Sequence, residues 1–322
     1  MSAHVALITG VAGQDGSYLA EYLASEGVEV HGVVRADDDR KDVPDGVTVH
    51  VADITDTPRM AEVLSAVAPT AVFHLAGMSS VGLSWERPLV AGQVTGFAVA
   101  GLLDAVWAQQ TRAGTEIRWV QASSAEIFGE PETAPQTEQT PLAPVNPYGA
   151  AKAYAHLLTG VYRARGMHAS TVVLYNHESP RRPEGFVTRK ITAGVARIAS
   201  GQQTELVLGN LEARRDWGWA PDYARAMWLA SRREVAADYV IATGQAHSVR
   251  EFVGAAFAAA GIDDWDHLVR TDPQFYRPVD AHELVGDASK AARELGWQPS
   301  VTFDEMVGQM VAVDMSEIQQ GE

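Results

Sequence analysis

Val5-Ala-Leu-Ile8, then Gly10-Val-Ala-Gly13-Gln-Asp-Gly16, then Tyr18-Leu-Ala-Glu-Tyr-Leu-Ala24 is the stretch that decides the fold. An apolar run, three spaced glycines and an amphipathic segment read as strand, turn and helix. Gly10 allows the tight turn, Gly13 lets backbone N–H groups approach a pyrophosphate, and Gly16 lets the helix pack closely, with Gln14 and Asp15 at the helix start facing the anion. A second strand over Val28 to Val34 supplies the context that such a dinucleotide fingerprint requires. It ends at Arg35. An arginine there suits the 2'-phosphate of NADP, whereas Asp37-Asp-Asp39 would repel that phosphate unless turned to solvent; the reading is NADP, with NAD the alternative.

Working outward, a strand over Val47 to Val51 precedes Asp53 and Ile54, where a strand end can hydrogen-bond an adenine. In Ala71-Val-Phe-His-Leu-Ala-Gly77, Leu75 and Ala76 would pass under the dinucleotide. A helix from about Pro88 to Gln110 leads to a strand over Ile117 to Ser123, and a further strand covers Ser170 to Leu174. Strand and helix alternate about every 20 to 30 residues, which predicts a doubly wound parallel sheet, α/β and Rossmann-like, with right-handed crossovers. Residues 1–175 form the expected dinucleotide domain, with roughly 213–245 returning to it. Residues 176–322 form mainly a smaller C-terminal α/β substrate domain.

The chemistry is predicted in Gln121-Ala-Ser-Ser-Ala-Glu-Ile-Phe-Gly129 and Asn146-Pro-Tyr-Gly-Ala-Ala-Lys152. Asn146 and Pro147 suit the cap and first residue of a helix. Tyr148 and Lys152 then stand one turn apart, a rise of ~6 Å, where an ammonium favours the phenolate. A phenol titrates near ~10, so it needs such help to act as a base at neutral pH. Two polar residues at this spacing also describe any solvated helix face. The strand-end hydroxyl of Ser124, the carboxylate of Glu126 and the glycine turn weigh against that reading.

Composition narrows the classes. With 322 residues, 46% hydrophobic and 20% charged, the chain is long enough for a large core. It has no cysteine, which excludes disulfides, thiolate metal sites and a cysteine nucleophile. The net charge of -16 opposes nucleic-acid or anionic-membrane partners, so a polyanionic ligand must be held by a few placed cations. No signal peptide or membrane span is expected, and the chain reads as cytoplasmic. Past Leu174 the cations gather: Arg181-Arg182, Arg189-Lys190, Arg214-Arg215 and Arg277, interleaved with Phe186, Trp217 and Trp219, suggest a second anion site fitted to a diphosphate. Ser248-Val-Arg-Glu251 and Thr302-Phe-Asp-Glu305 read as capping boxes.

At these residues the chain resembles the extended short-chain dehydrogenase/reductase family, and within it the GDP-mannose 4,6-dehydratases. The resemblance rests on Ile8 to Glu21, Gln121 to Glu126, Pro147 to Lys152, Asn176-His-Glu-Ser-Pro-Arg-Arg182, Phe186-Val-Thr-Arg-Lys190, Arg215-Asp-Trp-Gly218 and Ile241 to Phe252, nearly end to end. It implies that Tyr148 deprotonates the 4-hydroxyl of the sugar, supported by Lys152 and Ser124, and that Glu126 removes the proton on the fifth carbon and expels the 6-hydroxyl. It implies Ser79, Asn176, Val187, Lys190, Arg215 and Arg277 toward a nucleotide sugar, His177 and Arg182 toward the cofactor, and a homo-oligomer, dimer or tetramer. The chain departs from the family pattern at Ser124, which replaces a threonine, at Ala125, in the short acidic stretch after Arg35, and in Arg277-Pro-Val-Asp280. Dehydration of another sugar such as a GDP-heptose, or epimerisation or reduction of a nucleotide sugar, are the alternatives.

Overall fold

The computed structural model describes residues 4–275 and 283–321. Within them the strands are β1 Val5–Thr9, β2 Glu29–Val34, β3 Thr48–Val51, β4 Ala71–His74, β5 Arg118–Ser124, β6 Ala169–Leu174, β7 Asn176–Glu178, β8 Leu206–Leu208, β9 Arg214–Trp219, β10 Asp238–Ile241, β11 Ala246–Ser248, β12 Val269–Thr271 and β13 Glu283–Leu284. The helices are α1 Gln14–Ser25, α2 Thr57–Val67, α3 Val81–Glu86, α4 Pro88–Ala91, α5 Ala98–Ala113, α6 Pro147–Ala164, α7 Val187–Ala199, α8 Ala220–Arg232, α9 Val249–Ala259, α10 Ser289–Leu295 and α11 Phe303–Gly321.

Seven of these strands make one parallel sheet in the order β10-β6-β5-β4-β1-β2-β3. The expected doubly wound α/β architecture is therefore present. Strands such as β1, β4 and β6 are buried along nearly their whole length and mostly apolar because helices cover both faces. One face buries Ile8, Phe73, Val120 and Val172 against α1 and α8, and the other buries Leu7, Val72 and Trp119 against α2 and α5. The strand order reverses between β1 and β4, which opens a crevice at their carboxyl ends. Gly10 (φ +75°) makes the turn out of β1, and a Cβ on Gly16 would collide with the Gly10 carbonyl, so α1 starts tight against its own strand.

A second core gathers α7, α9 and α11 around Ile191, Leu206, Trp217, Phe252 and Met310. Its small sheet runs β11-β9-β13, and β7 pairs with β9. From β9 the chain returns: α8 packs on α1, and β10 closes one edge of the large sheet. There the outward N–H of Val240 donates to the Glu138 carboxylate at 2.8 Å. Both expected capping boxes form, with Ser248 and Thr302 accepting from the backbone N–H of Glu251 and Glu305.

Two expectations need correction. The helix from about Pro88 runs on to Ala113 but widens into a π-helical turn over Gly92–Phe97, where a Cβ on Gly96 would touch Ala151 of α6. The span Pro88–Ala113 is also long and apolar enough to cross a membrane by length and composition, contrary to the sequence reading. Its buried side, with Val99, Leu102, Leu103 and Val106, packs into the core beneath the sheet.

Candidate active site

Each reactive side chain is set by its element. β5 ends at Ser124, whose hydroxyl accepts the Glu126 N–H at 3.3 Å, so the strand turns at once and presents the Glu126 side chain. Asn146 caps α6, accepting the Gly149 N–H at 2.8 Å, and Pro147 supplies a first residue with its φ already helical. Tyr148 follows, its N–H held by Ser84 Oγ at 3.2 Å. One turn on, Lys152 is buried and donates from Nζ to the Ala122 carbonyl at 2.8 Å. Its ammonium lies 5.8 Å from the Tyr148 ring centroid.

The electrostatics differ from expectation. Burial pushes the Tyr148 phenol up to about 12, with Glu126 raising it further and the Ser124 hydrogen bond and Arg182 opposing. Burial likewise lowers Lys152 to about 8, against the attraction of Asp15. The ammonium is bonded to a carbonyl rather than to the phenol, and desolvation dominates both groups. In the protein alone, Tyr148 is thus an acid poised beside a carboxylate, and lowering its pKa requires further positive charge next to the ring.

Around the glycine turn, Gly10, Gly13 and Gly16 bring the start of α1 to the crevice, and among the described residues no side chain caps that helix. Its first N–H groups are therefore suited to a phosphate. Leu75 and Ala76 donate their N–H groups to Thr9 Oγ1 at 3.2 Å each, and a Cβ on Gly10 would press on Ala76. Arg35 is exposed at the end of β2, and its charge reaches Asp53. Asp53 accepts the Thr55 N–H and hydroxyl at 2.8 and 2.7 Å, and Ile54 is buried beside it. Two of the three acids that follow Arg35 are engaged locally: Asp37 pairs with Arg40 at 2.8 Å, and Asp39 accepts the Ala36 N–H at 3.1 Å. Arg35 itself stays exposed, so the residues present fit a dinucleotide carrying a 2'-phosphate.

Gln14 and Asp15 do something the sequence reading missed. Gln14 donates to the His177 carbonyl at 3.1 Å and accepts from Ser179 Oγ at 2.8 Å. Asp15 meets His177 Nε2 at 2.9 Å, while His177 Nδ1 donates to the Tyr175 carbonyl at 2.6 Å. Both ring nitrogens face acceptors, so the imidazole is doubly protonated there. Burial opposes both charges, yet the pair prevails: Asp15 is held to about 2 and His177 is raised. Arg181 adds a bond to Ser17 and an ion pair to Glu21 at 2.7 Å. No local signal announces a contact between residues 162 apart in sequence.

The expected second anion site is only partly assembled from the basic clusters. Arg189 is buried on Asp314, the exposed Arg181 pairs with Glu21 of α1, and Arg214 pairs with Glu251, because each lies beside a carboxylate of a neighbouring helix. Arg182 lies over Phe186 at 3.8 Å and pairs with Glu178 at 3.2 Å. Lys190 lies 3.8 Å over the Phe275 ring, an apolar seat the sequence reading also missed. Arg215 is buried on β9 and donates to the Arg214 carbonyl at 2.7 Å. Asn176 and Val187 are half-buried at the starts of β7 and α7, and Ser79 is exposed in the loop before α3. Arg277 lies outside the described residues.

A family model described as GDP-mannose 4,6 dehydratase matches residues 7–310. The chain belongs to that family. It is 42% identical over 325 residues to GDP-mannose 4,6 dehydratase 2 of Arabidopsis thaliana, covering 97% of this chain and 87% of that protein. It is 38% identical over 360 residues to GDP-mannose 4,6-dehydratase of Vibrio cholerae, covering 99% and 95%. Among solved structures, UDP-glucose 4-epimerase of Thermus thermophilus in complex with NAD aligns with a TM-score of 0.83 at 29% identity, covering 96% of this chain and 98% of that one. In this family setting the carboxylate beside the phenol, Glu126, becomes the residue of most chemical interest.

Proposed function

We propose that this chain dehydrates GDP-mannose to GDP-4-keto-6-deoxymannose. The reading is carried by one observation: Asn146, which caps the helix turn bearing Tyr148, also donates to the Glu126 carboxylate at 2.7 Å, and this unites an oxidation group with an elimination group. NADP, with NAD as the alternative, would lie along the α1 start, Arg35, Asp53, Leu75, Ala76 and Lys152; its nicotinamide supplies a hydride acceptor for the fourth carbon and a donor for the sixth. Tyr148 takes the proton of the 4-hydroxyl, while Ser124 orients the oxygen. The 4-ketone acidifies the proton on the fifth carbon, and Glu126 removes it. As the double bond forms between the fifth and sixth carbons, the bond from the sixth carbon to oxygen breaks, and the proton on Glu126 leaves with the hydroxyl as water. Asn176, Lys190, Arg215 and Arg277 would grip the diphosphate. In this reading residues 1–175, with 213–245, serve the cofactor and 176–322 mainly the sugar nucleotide, in the cytoplasm.

Incubation with GDP-mannose and catalytic NADP is expected to yield a product lighter by one water, with no net consumption of cofactor. An unchanged mass with altered stereochemistry would favour an epimerase, stoichiometric consumption of reduced cofactor a reductase, and turnover of a GDP-heptose alone another dehydratase.

We further propose a homodimer. Tyr154, Leu157 and Val161 lie on one exposed face of α6, and the Phe97 ring meets Tyr154 at a tilt with centroids 5.2 Å apart, while Leu89 on α4 is also exposed. Such a two-helix apolar layer suits burial against its own copy as a four-helix bundle. Sedimentation should give a dimer for the wild type and a monomer for Leu157→Glu; a monomeric wild type at micromolar concentration refutes the assignment.

A further inference from the structure

Asn146 has two contacts, and its role as a helix cap explains only one. Its Oδ1 accepts the Gly149 N–H at 2.8 Å, while its Nδ2 donates to Glu126 Oε2 at 2.7 Å. The side chain is buried, and its orientation is fixed by chemistry: a flipped amide would set oxygen against carboxylate and NH2 against N–H. The same helix turn seats on the backbone of Glu126, since a Cβ on Gly149 would collide with the Glu126 carbonyl. Ser124 closes the circuit, accepting the Glu126 N–H and bonding the Tyr148 phenol. The carboxylate and the phenol are thereby two ends of one rigid unit made from two turns.

We propose that Asn146 is a positioning residue for the elimination step, an inference that rests on the dehydratase reading of the site. It anchors one oxygen of Glu126, so that the other takes the proton from the fifth carbon. The phenol serves the neighbouring carbon, and the spacing of the two groups has to match that of adjacent sugar carbons. Glutamate has three side-chain torsions, and without an anchor the carboxylate samples positions from which it cannot reach that proton. A displacement of about 1 Å can cost about a hundredfold in rate.

The test uses the fact that Asn, Asp and Ser are comparable helix caps, whereas Ala is not. Asn146→Ser keeps the cap and deletes the donor to Glu126, and Asn146→Asp keeps the cap and sets a second carboxylate against it. Thermal unfolding checks that both fold like the wild type. Removal of hydride is followed in single turnovers by the near-ultraviolet absorbance of reduced nicotinamide, and water loss by mass spectrometry with GDP-mannose deuterated at the fifth carbon. For Asn146→Ser, hydride removal should stay within about twofold while elimination slows about tenfold to a hundredfold, the loss of one hydrogen bond to a charged group. The oxidised sugar should accumulate and the isotope effect at the fifth carbon should rise; Asn146→Asp should be at least as impaired. Wild-type elimination in both variants, with a defect only in Asn146→Ala, overturns the proposal in favour of capping alone. A wild-type protein that loses no water from GDP-mannose overturns the dehydratase reading instead, and this assignment falls with it.

Discussion

Glu126→Gln should halt the reaction halfway. The substitution keeps the shape and volume of the side chain, and its amide oxygen still accepts from Asn146 Nδ2, so the turn after β5 holds. What it removes is an oxygen able to carry a proton away from carbon. Hydride removal should remain within a few-fold of the wild type, while water loss falls about a hundredfold to ten-thousandfold, the usual range for a positioned acid–base group. Rapid quenching and mass spectrometry should then find a 4-keto hexose that still bears its 6-hydroxyl, alongside a persistent reduced-nicotinamide absorbance. Elimination at the wild-type rate in this variant would remove Glu126 from the mechanism.

Tyr148→Phe acts one step earlier. The ring stays buried, the backbone of Tyr148 keeps its bond to Ser84 of α3, and only the oxygen is lost. The phenol, pushed up to about 12 by burial, is protonated at neutral pH in the protein alone. In the wild type, hydride removal therefore depends on shedding that proton and speeds up as pH rises; in Tyr148→Phe it should fall about a hundredfold to ten-thousandfold and lose this pH dependence, with nucleotide affinity little changed. A variant that still oxidises the sugar at the wild-type rate would mean that another group takes the hydroxyl proton.

The parts of this molecule that were legible in the sequence are the local ones. Val5 to Gly16 specify strand, turn and helix within a few residues of each other, and Asn146-Pro147 announces a helix start by the geometry of two adjacent residues. Capping boxes at Ser248 and Thr302 are equally short-range. The rest depends on what the fold brings near. Arg181 and Arg189 look like anion ligands until Glu21 and Asp314 are found beside them. Asp15 looks like part of a phosphate turn until His177 arrives from β7, 162 residues along the chain. The lysine at one helical turn from Tyr148 suggested an acidified phenol, yet the depth of both groups decides their titration, and depth is a property of the packed molecule. The apolar span from Pro88 meets the length and composition of a membrane span although none was expected, because composition alone does not distinguish a core helix from one that meets lipid.

The sheet ends at β10, whose Val240 N–H is taken by Glu138 from the long connection between β5 and α6. An outermost strand with idle donors is a template on which a foreign chain can continue the ladder. Here a negatively charged side chain occupies one of those rungs, so an incoming strand would have to displace a charge-assisted bond and then lie against an anion. The long connection thus also protects this border of the molecule against fibrous or end-to-end growth.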